Sequence, residues 1–166
     1  MKNKLIDSIL KQLTLEEKIN MIHGTGLFHN GGVERLNIPP LKMTDGSRGV
    51  RAEIHDDNWN PIGLSDDYVT YLPSGSALAS TWNKKLAYSY GKVLGAETRG
   101  RGKDVILGPS INIIRSPLCG RNFEYLSEDP TLTSNMALPI VKGIQHFDVA
   151  SCLKHYAVNN QETERL

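Results

Sequence analysis

Apolar positions recur at helical spacing over residues 3 to 12, where Leu5, Ile6, Ile9 and Leu10 fall on one face. Thr14-Leu15-Glu16-Glu17 reads as a capping box, with Thr14 accepting a first-turn amide and Glu17 reaching back. Leu15, Ile19 and Ile22 predict a buried stripe on a second helix that Gly24 ends, and the expected role is to cover a sheet. Residues 24 to 38, rich in Gly and Asn, read as loop, with Gly24-Thr25-Gly26 too short for a phosphate loop. After Pro39-Pro40 a short strand is expected over residues 41–44, broken by Asp45-Gly46. A long loop follows over residues 52 to 75, a length that is uncommon without a function.

The pattern then turns helical over about residues 82 to 100, with Thr81 as cap, Leu86, Tyr90, Val93 and Leu94 as inner stripe, and Gly100 or Gly102 as stop. Residues 104–107 predict a buried strand cut by Gly108-Pro109, which Ile111 to Ile114 continue after a bend. Asp129-Pro130 opens a third long helix as cap and first residue, with Leu132, Met136, Ile140 and Ile144 as core stripe. Pro139 falls inside this pattern and is expected to kink it. The apolar run of residues 149–153 closes the series as a strand. Alternating helices and strands predict an α/β fold with a parallel sheet.

A length of 166 residues suits one domain, and a net charge of +1 gives no field to draw nucleic acid or an acidic membrane. No secretory leader and no run of about 18 apolar residues stands out, so a cytoplasmic protein is expected. Cys119 and Cys152 form no spaced motif and read as packed, reduced thiols.

The chemistry concentrates where the last strand ends. From Lys154 the chain changes abruptly to Lys, His, Asn, Gln, Glu and Arg, as at the floor of a polar-ligand site on the C-terminal rim of a strand. Asp45 ends the first strand, and Arg48 and Arg51 share its loop, although Asp-Gly also makes a plain turn. Arg121 offers a rigid fork of donors, with a surface ion pair to Glu124 as the simpler role. Lys154 and His155 converge on one ligand only if the chain turns there, since neighbours on a strand point to opposite faces. An acceptor carboxylate among cationic and neutral donors suits a polyhydroxylated ligand. A metal site from His146, Cys152 and His155 is chemically reasonable but matches no trusted spacing.

At these residues the chain resembles glycoside hydrolase family 3, and most closely its β-glucosidase branch. The matching segments are Lys42-Met43-Thr44-Asp45-Gly46 with Gly49-Val50-Arg51, Leu107-Gly108-Pro109 with Asn112-Ile113, and Arg115-Ser116-Pro117. Gly120-Arg121-Asn122-Phe123-Glu124, Ser127-Glu128-Asp129-Pro130, and Lys154-His155 through Asn160-Gln161-Glu162 to Arg165 complete the series. The resemblance implies the N-terminal half of a (β/α)8 TIM-like barrel, incomplete within residues 1–166, and retaining removal of terminal β-linked glucose without a cofactor. By position, Asp45 would hold sugar hydroxyls, while Arg51, Arg121, Lys154, His155 and Arg165 would line or brace the glucose subsite. The family's aspartate nucleophile, in a Ser-Asp-Trp-like motif, and its glutamate acid/base match no residue here. Retention needs two carboxyl groups about 5 Å apart, and Glu124, Glu128, Asp129, Glu162 and Glu164 are assigned to ion pairs and caps. The expectation is a truncated or split enzyme that binds sugar weakly, hydrolyses nothing alone, and needs the rest of the barrel or self-association to cover its open edges. A β-xylosidase or related exo-glycosidase and a non-catalytic sugar-binding module stay open. The N-acetylglucosaminidase branch fits less well, because Lys154-His155-Tyr156-Ala157 departs from its motif.

Overall fold

The computed structural model describes residues 2–51 and 68–165, with side chains from residue 4 onward, in two compact units. Most of the long loop expected over residues 52 to 75 lies outside the described residues.

Among the described residues the first unit holds residues 2–42. Helix α1 spans Lys2–Gln12 and α2 spans Leu15–Ile22. The capping box is present: the Thr14 amide donates to Glu17 Oε2 at 2.8 Å and the Glu17 amide donates to Thr14 Oγ1 at 3.2 Å. Arg35 Nε also donates to Glu17 Oε1 at 2.6 Å, and this bond holds the Glu17 carboxyl at a pKa of about 2. The expected apolar stripe is corrected. Leu5, Ile6, Leu10, Leu15, Ile19 and Ile22 are all exposed, and α2 buries no residue. Periodicity assigned the helices rightly, but it cannot say whether a face is covered.

The second unit holds residues 43–51 and 68–165 and carries a three-stranded parallel sheet in the order β1-β2-β3, with β1 at Met43–Asp45, β2 at Val105–Leu107 and β3 at Ala150–Ser151. Met43 lies beside Val105 and Asp45 beside Leu107, and Val105 lies beside Ala150. Three parallel strands in sequence order need two crossovers, and helices provide them. Helices α3 (Gly75–Ala79) and α4 (Lys84–Gly100) lie between β1 and β2, and α5 (Pro130–Gln145) lies between β2 and β3. Ile111 to Ile114 do not form the continuing strand that was expected. Instead pairing resumes past Gly108-Pro109 at one bridge, Ser110 beside Lys154, with the Ile111 amide donating to the Lys154 carbonyl at 2.8 Å.

Asn83, not Thr81, caps α4, its Oδ1 accepting from the amides of Lys85 and Leu86. Thr81 Oγ1 donates to the Leu78 carbonyl at 2.7 Å and so closes α3, a helix the sequence pattern did not announce. The inner face of α4 is also rotated from the expected stripe. Tyr90 and Leu94 are buried, but Leu86 is exposed and Ala87, Gly91, Gly95 and Thr98 complete the buried side. Glycine is needed there because α5 comes so near. A Cβ on Gly91 would collide with the Ile140 carbonyl, and one on Gly95 would stand 2.6 Å from the Ile144 carbonyl oxygen. Asp129 caps α5, Pro130 is its first residue, and the helix continues through Pro139. Met136, Ile140 and Ile144 meet Leu94, Ile106 and Val149 in one core, as the spacing of α5 predicts. Cys119 is buried as expected, but Cys152 is exposed just past β3; both are free thiols. No described helix is long and apolar enough to cross a membrane.

The rotated face can be tested by substitution. Gly91→Ala raises intrinsic helix propensity by about 1 kcal/mol, yet it is expected to destabilise the chain by about 1–3 kcal/mol through overpacking. Leu86→Ala is expected to stay within about 0.5 kcal/mol. Urea unfolding of both variants reads the difference, and the reverse order would return Leu86 to the core.

Candidate functional site

The C-terminal ends of the three strands deliver their polar residues to one place. Asp45, the last residue of β1, accepts the Gly46 amide at 2.9 Å and the Lys154 ammonium at 2.7 Å through Oδ1. It is therefore a turn residue and a partner of Lys154 at once. The Arg51 amide donates to the Asp45 carbonyl at 2.9 Å, closing the loop. Tyr90 Oη donates to the Ser47 and Pro73 carbonyls at 2.8 and 3.1 Å and anchors that loop to α4. Burial pushes the Tyr90 phenol pKa well up, so it stays a donor at all physiological pH.

Lys154 follows β3 and has only 15% of its side chain exposed. Its Nζ lies 3.7 Å from Glu124 Oε2 as well as 2.7 Å from Asp45. Glu124 ends the 3-10 turn Asn122–Glu124 and is 6% exposed. Oε2 also accepts from Ser110 Oγ at 2.7 Å, while Oε1 accepts Arg121 Nε at 2.5 Å. Since Ser110 spends its proton on Glu124, Ser47 Oγ donates to Ser110 Oγ at 2.7 Å. Arg121 thus forms the expected pair with Glu124, but the pair is half-buried rather than a surface contact. Burial works against the Arg121 charge, but its hydrogen bond to Glu124 and that carboxylate's charge raise its pKa.

Arg121 Nη2 meets His155 Nε2 at 2.6 Å. A guanidinium has only donors, so Nε2 accepts and the imidazole carries its proton on Nδ1. That proton points to Tyr125 Oη at 3.1 Å, which also accepts Asn159 Nδ2 at 2.7 Å. Asn112 pins the His155 backbone from both sides, accepting its amide at 2.7 Å and donating to its carbonyl at 3.0 Å. Burial, then the Arg121 charge, lowers the His155 pKa. The chain turns here so that Lys154 and His155 join the same network.

These groups edge an open hollow of about 260 Å³, lined by Asp45, Arg48, Arg51, Arg121, Glu124 and Lys154 among others. That is slightly below the small end of ligand pockets, about 300 Å³, and suits a single ring. Larger hollows, one of 690 Å³ beside Pro39 and Pro40 and an apolar one of 410 Å³ beside Leu72 and Leu78, gather no comparable set of acids and bases. Of the residues expected in the site, Asp45, Arg51, Arg121 and Lys154 line the hollow, and His155 stands behind Arg121. Arg165 is not among the lining residues and pairs instead with Glu162 at 2.6 Å, lowering that carboxyl's pKa. His146 makes edge contacts with Tyr88 and Phe147, and no group of three or more His, Cys, Asp or Glu among the described residues is placed to hold a metal. Sequence reasoning gave Glu124 only a pairing role and passed over Ser47, Ser110, Tyr125 and Asn159. The one available signal was apolar Tyr125-Leu126 directly after Glu124, which marks that turn as inward-facing.

A wound parallel sheet with acids and cations gathered at the C-terminal ends of its strands is the layout of an α/β enzyme domain. The chain belongs to glycosyl hydrolase family 3: residues 34–164 match the model of that family's N-terminal domain. It is 48% identical over 160 residues to beta-glucosidase BoGH3A of Bacteroides ovatus, covering 96% of this chain and 21% of that protein. Against thermostable beta-glucosidase B of Acetivibrio thermocellus it is 46% identical over 161 residues, covering 97% and 21%. Beta-glucosidase 3B of Thermotoga neapolitana in complex with glucose superposes with a TM-score of 0.84 at 41% identity, covering 96% of this chain and 24% of that one. The chain therefore spans about a fifth of the length of the relatives it matches.

The His155 network makes a pH prediction. A depressed pKa means the folded chain resists protonation, so this stabilisation is whole above the ordinary value of about 6.5 and is lost as pH falls below it. Arg121→Gln removes a neighbouring charge and is expected to raise the His155 pKa toward that value. Imidazole NMR titration of both proteins checks this, and an unshifted or lowered value in the variant would contradict the network.

Proposed function

We propose that this chain is the N-terminal part of the barrel domain of a retaining β-glucosidase and carries the subsite that grips the terminal glucose. The observation that carries this reading is the convergence of Asp45 from the end of β1, Arg121 and Glu124 from the cap and the end of the turn at residues 122–124, and Lys154 from just past β3 on one hollow of single-ring size. Sugar hydroxyls both donate and accept, and this hollow offers carboxylate acceptors beside ammonium and guanidinium donors. The relatives named as beta-glucosidases, one with glucose bound, point the same way.

In this reading Asp45 accepts from sugar hydroxyls, Lys154 and Arg121 donate to them, and His155 holds the Arg121 fork in place. Arg51 closes the rim, and Arg165 acts through Glu162 rather than by contact. Glu124 serves as the buried counter-charge and not as an acid or nucleophile, because Ser110, Arg121 and Lys154 already occupy its oxygens. The two carboxyl groups that cleave the bond come from outside these 166 residues, so the chain alone binds without turnover. The three parallel strands form one arc of the barrel.

Calorimetric titration with glucose tests the subsite. Binding in the millimolar range is expected, corresponding to about 4 kcal/mol. Lys154→Ala is expected to weaken it at least about tenfold, as for a charged hydrogen bond of about 1.5–3 kcal/mol. A chromogenic β-glucoside is expected to stay intact. Glucose binding unaffected by Lys154→Ala, or cleavage by the chain alone, would contradict the reading.

A further inference from the structure

The hollow has a second side that the ion-paired network does not use. Among the described residues Arg121 and Lys154 are tied to Glu124 and Asp45, whereas Arg48 makes no ion pair and no side-chain hydrogen bond. Among the described residues its Nε is buried and has no hydrogen-bond partner. The guanidinium carbon lies 4.4 Å from the centroid of the Tyr71 ring and 5.3 Å from that of Phe123. Aromatic neighbours stabilise a guanidinium through its face and leave its N–H donors, which lie in the plane, without acceptors. Phe123 lines the hollow beside Arg48 and is 49% exposed, while the next residue, Glu124, is 6% exposed and turned into the network.

We propose that Arg48, backed by Tyr71 and Phe123, is a specificity-determining residue that receives a carboxylate on the aglycone of the bound β-glucoside. The inference rests on the sugar-binding reading above and names the class of glycoside it favours. Two features select a carboxylate over a neutral group. The in-plane donors of a guanidinium match both oxygens of a carboxylate, and among the described residues Nε of Arg48 has no acceptor. Phe123 supplies the apolar surface along which an aromatic aglycone would lie. The loop that places Arg48 is held by its own carbonyl, which accepts the Leu72 amide at 2.6 Å, and by Tyr90 on the Ser47 carbonyl. The side chain is thus presented from an anchored backbone, which lowers the cost of ordering it on binding.

The experiment compares glucose, phenyl β-D-glucoside and 4-carboxyphenyl β-D-glucoside, titrated into this chain by NMR. The carboxylated glucoside is expected to bind about fivefold or more tightly than the neutral one. Arg48→Gln is expected to bring that ratio close to one, and Arg48→Lys, which keeps the charge but not the planar fork, to leave an intermediate ratio. A ratio near one in the unsubstituted chain overturns the proposal without needing any variant to fold. A preference that survives Arg48→Gln overturns it as well, because another cation would then hold the carboxylate. Glucose binding with equal affinity for the two glucosides removes this inference and leaves the sugar subsite standing. Failure of all three ligands removes both.

Discussion

The ammonium of Lys154, held between Asp45 and Glu124, is the contact on which the site depends. It joins the end of β1, the turn at residues 122–124 and the residue that follows β3, so it ties together segments far apart in sequence. Placing three charges in a half-buried cluster is costly unless each finds partners, and removing one member costs more than the pair contributes. Here the partners are supplied: Ser110 and Arg121 complete Glu124, the Gly46 amide completes Asp45, and His155, itself bonded to Tyr125, completes Arg121. A ligand with alternating donors and acceptors can enter such a network without leaving a charge stranded.

Backbone packing sets the spacing that makes the cluster possible. Glycines at 91 and 95 let α4 settle onto the main chain of α5, and the same helices carry Leu94, Ile140 and Ile144 against Ile106 of the central strand. A close approach also occurs at the site, where a Cβ on Gly108 would collide with the Gly46 carbonyl. Small residues therefore draw the strand ends together, and the long polar side chains then span only a few ångströms.

Much of this was legible in the sequence because it rests on local chemistry. The Thr14 box, the Asp129-Pro130 start of α5 and its Met136, Ile140, Ile144 stripe need only neighbours three or four residues away. Asp45, Arg121 and Lys154 were legible as strand-end or loop residues of suitable chemistry, and the family resemblance already grouped them at one subsite. The buried face of α4 was misjudged because glycine and alanine carry no hydrophobic signal, and their value lies in what they let approach. The stripes of α1 and α2 showed the right period without telling whether anything covers them. Glu124 was undervalued because burial of a carboxylate depends on Ser110 and Lys154, which lie 14 and 30 positions away in the chain. Arg165 was given a place at the subsite by resemblance, and its pairing with Glu162 is a local bond that motif position cannot reveal.

The most direct measurement is a crystal structure of this chain soaked with glucose. One sugar ring is expected in the hollow, with hydroxyls within hydrogen-bond distance of the Asp45 carboxylate, the Lys154 ammonium and the Arg121 guanidinium. A ring bound elsewhere, or an empty hollow at saturating glucose, would contradict the account.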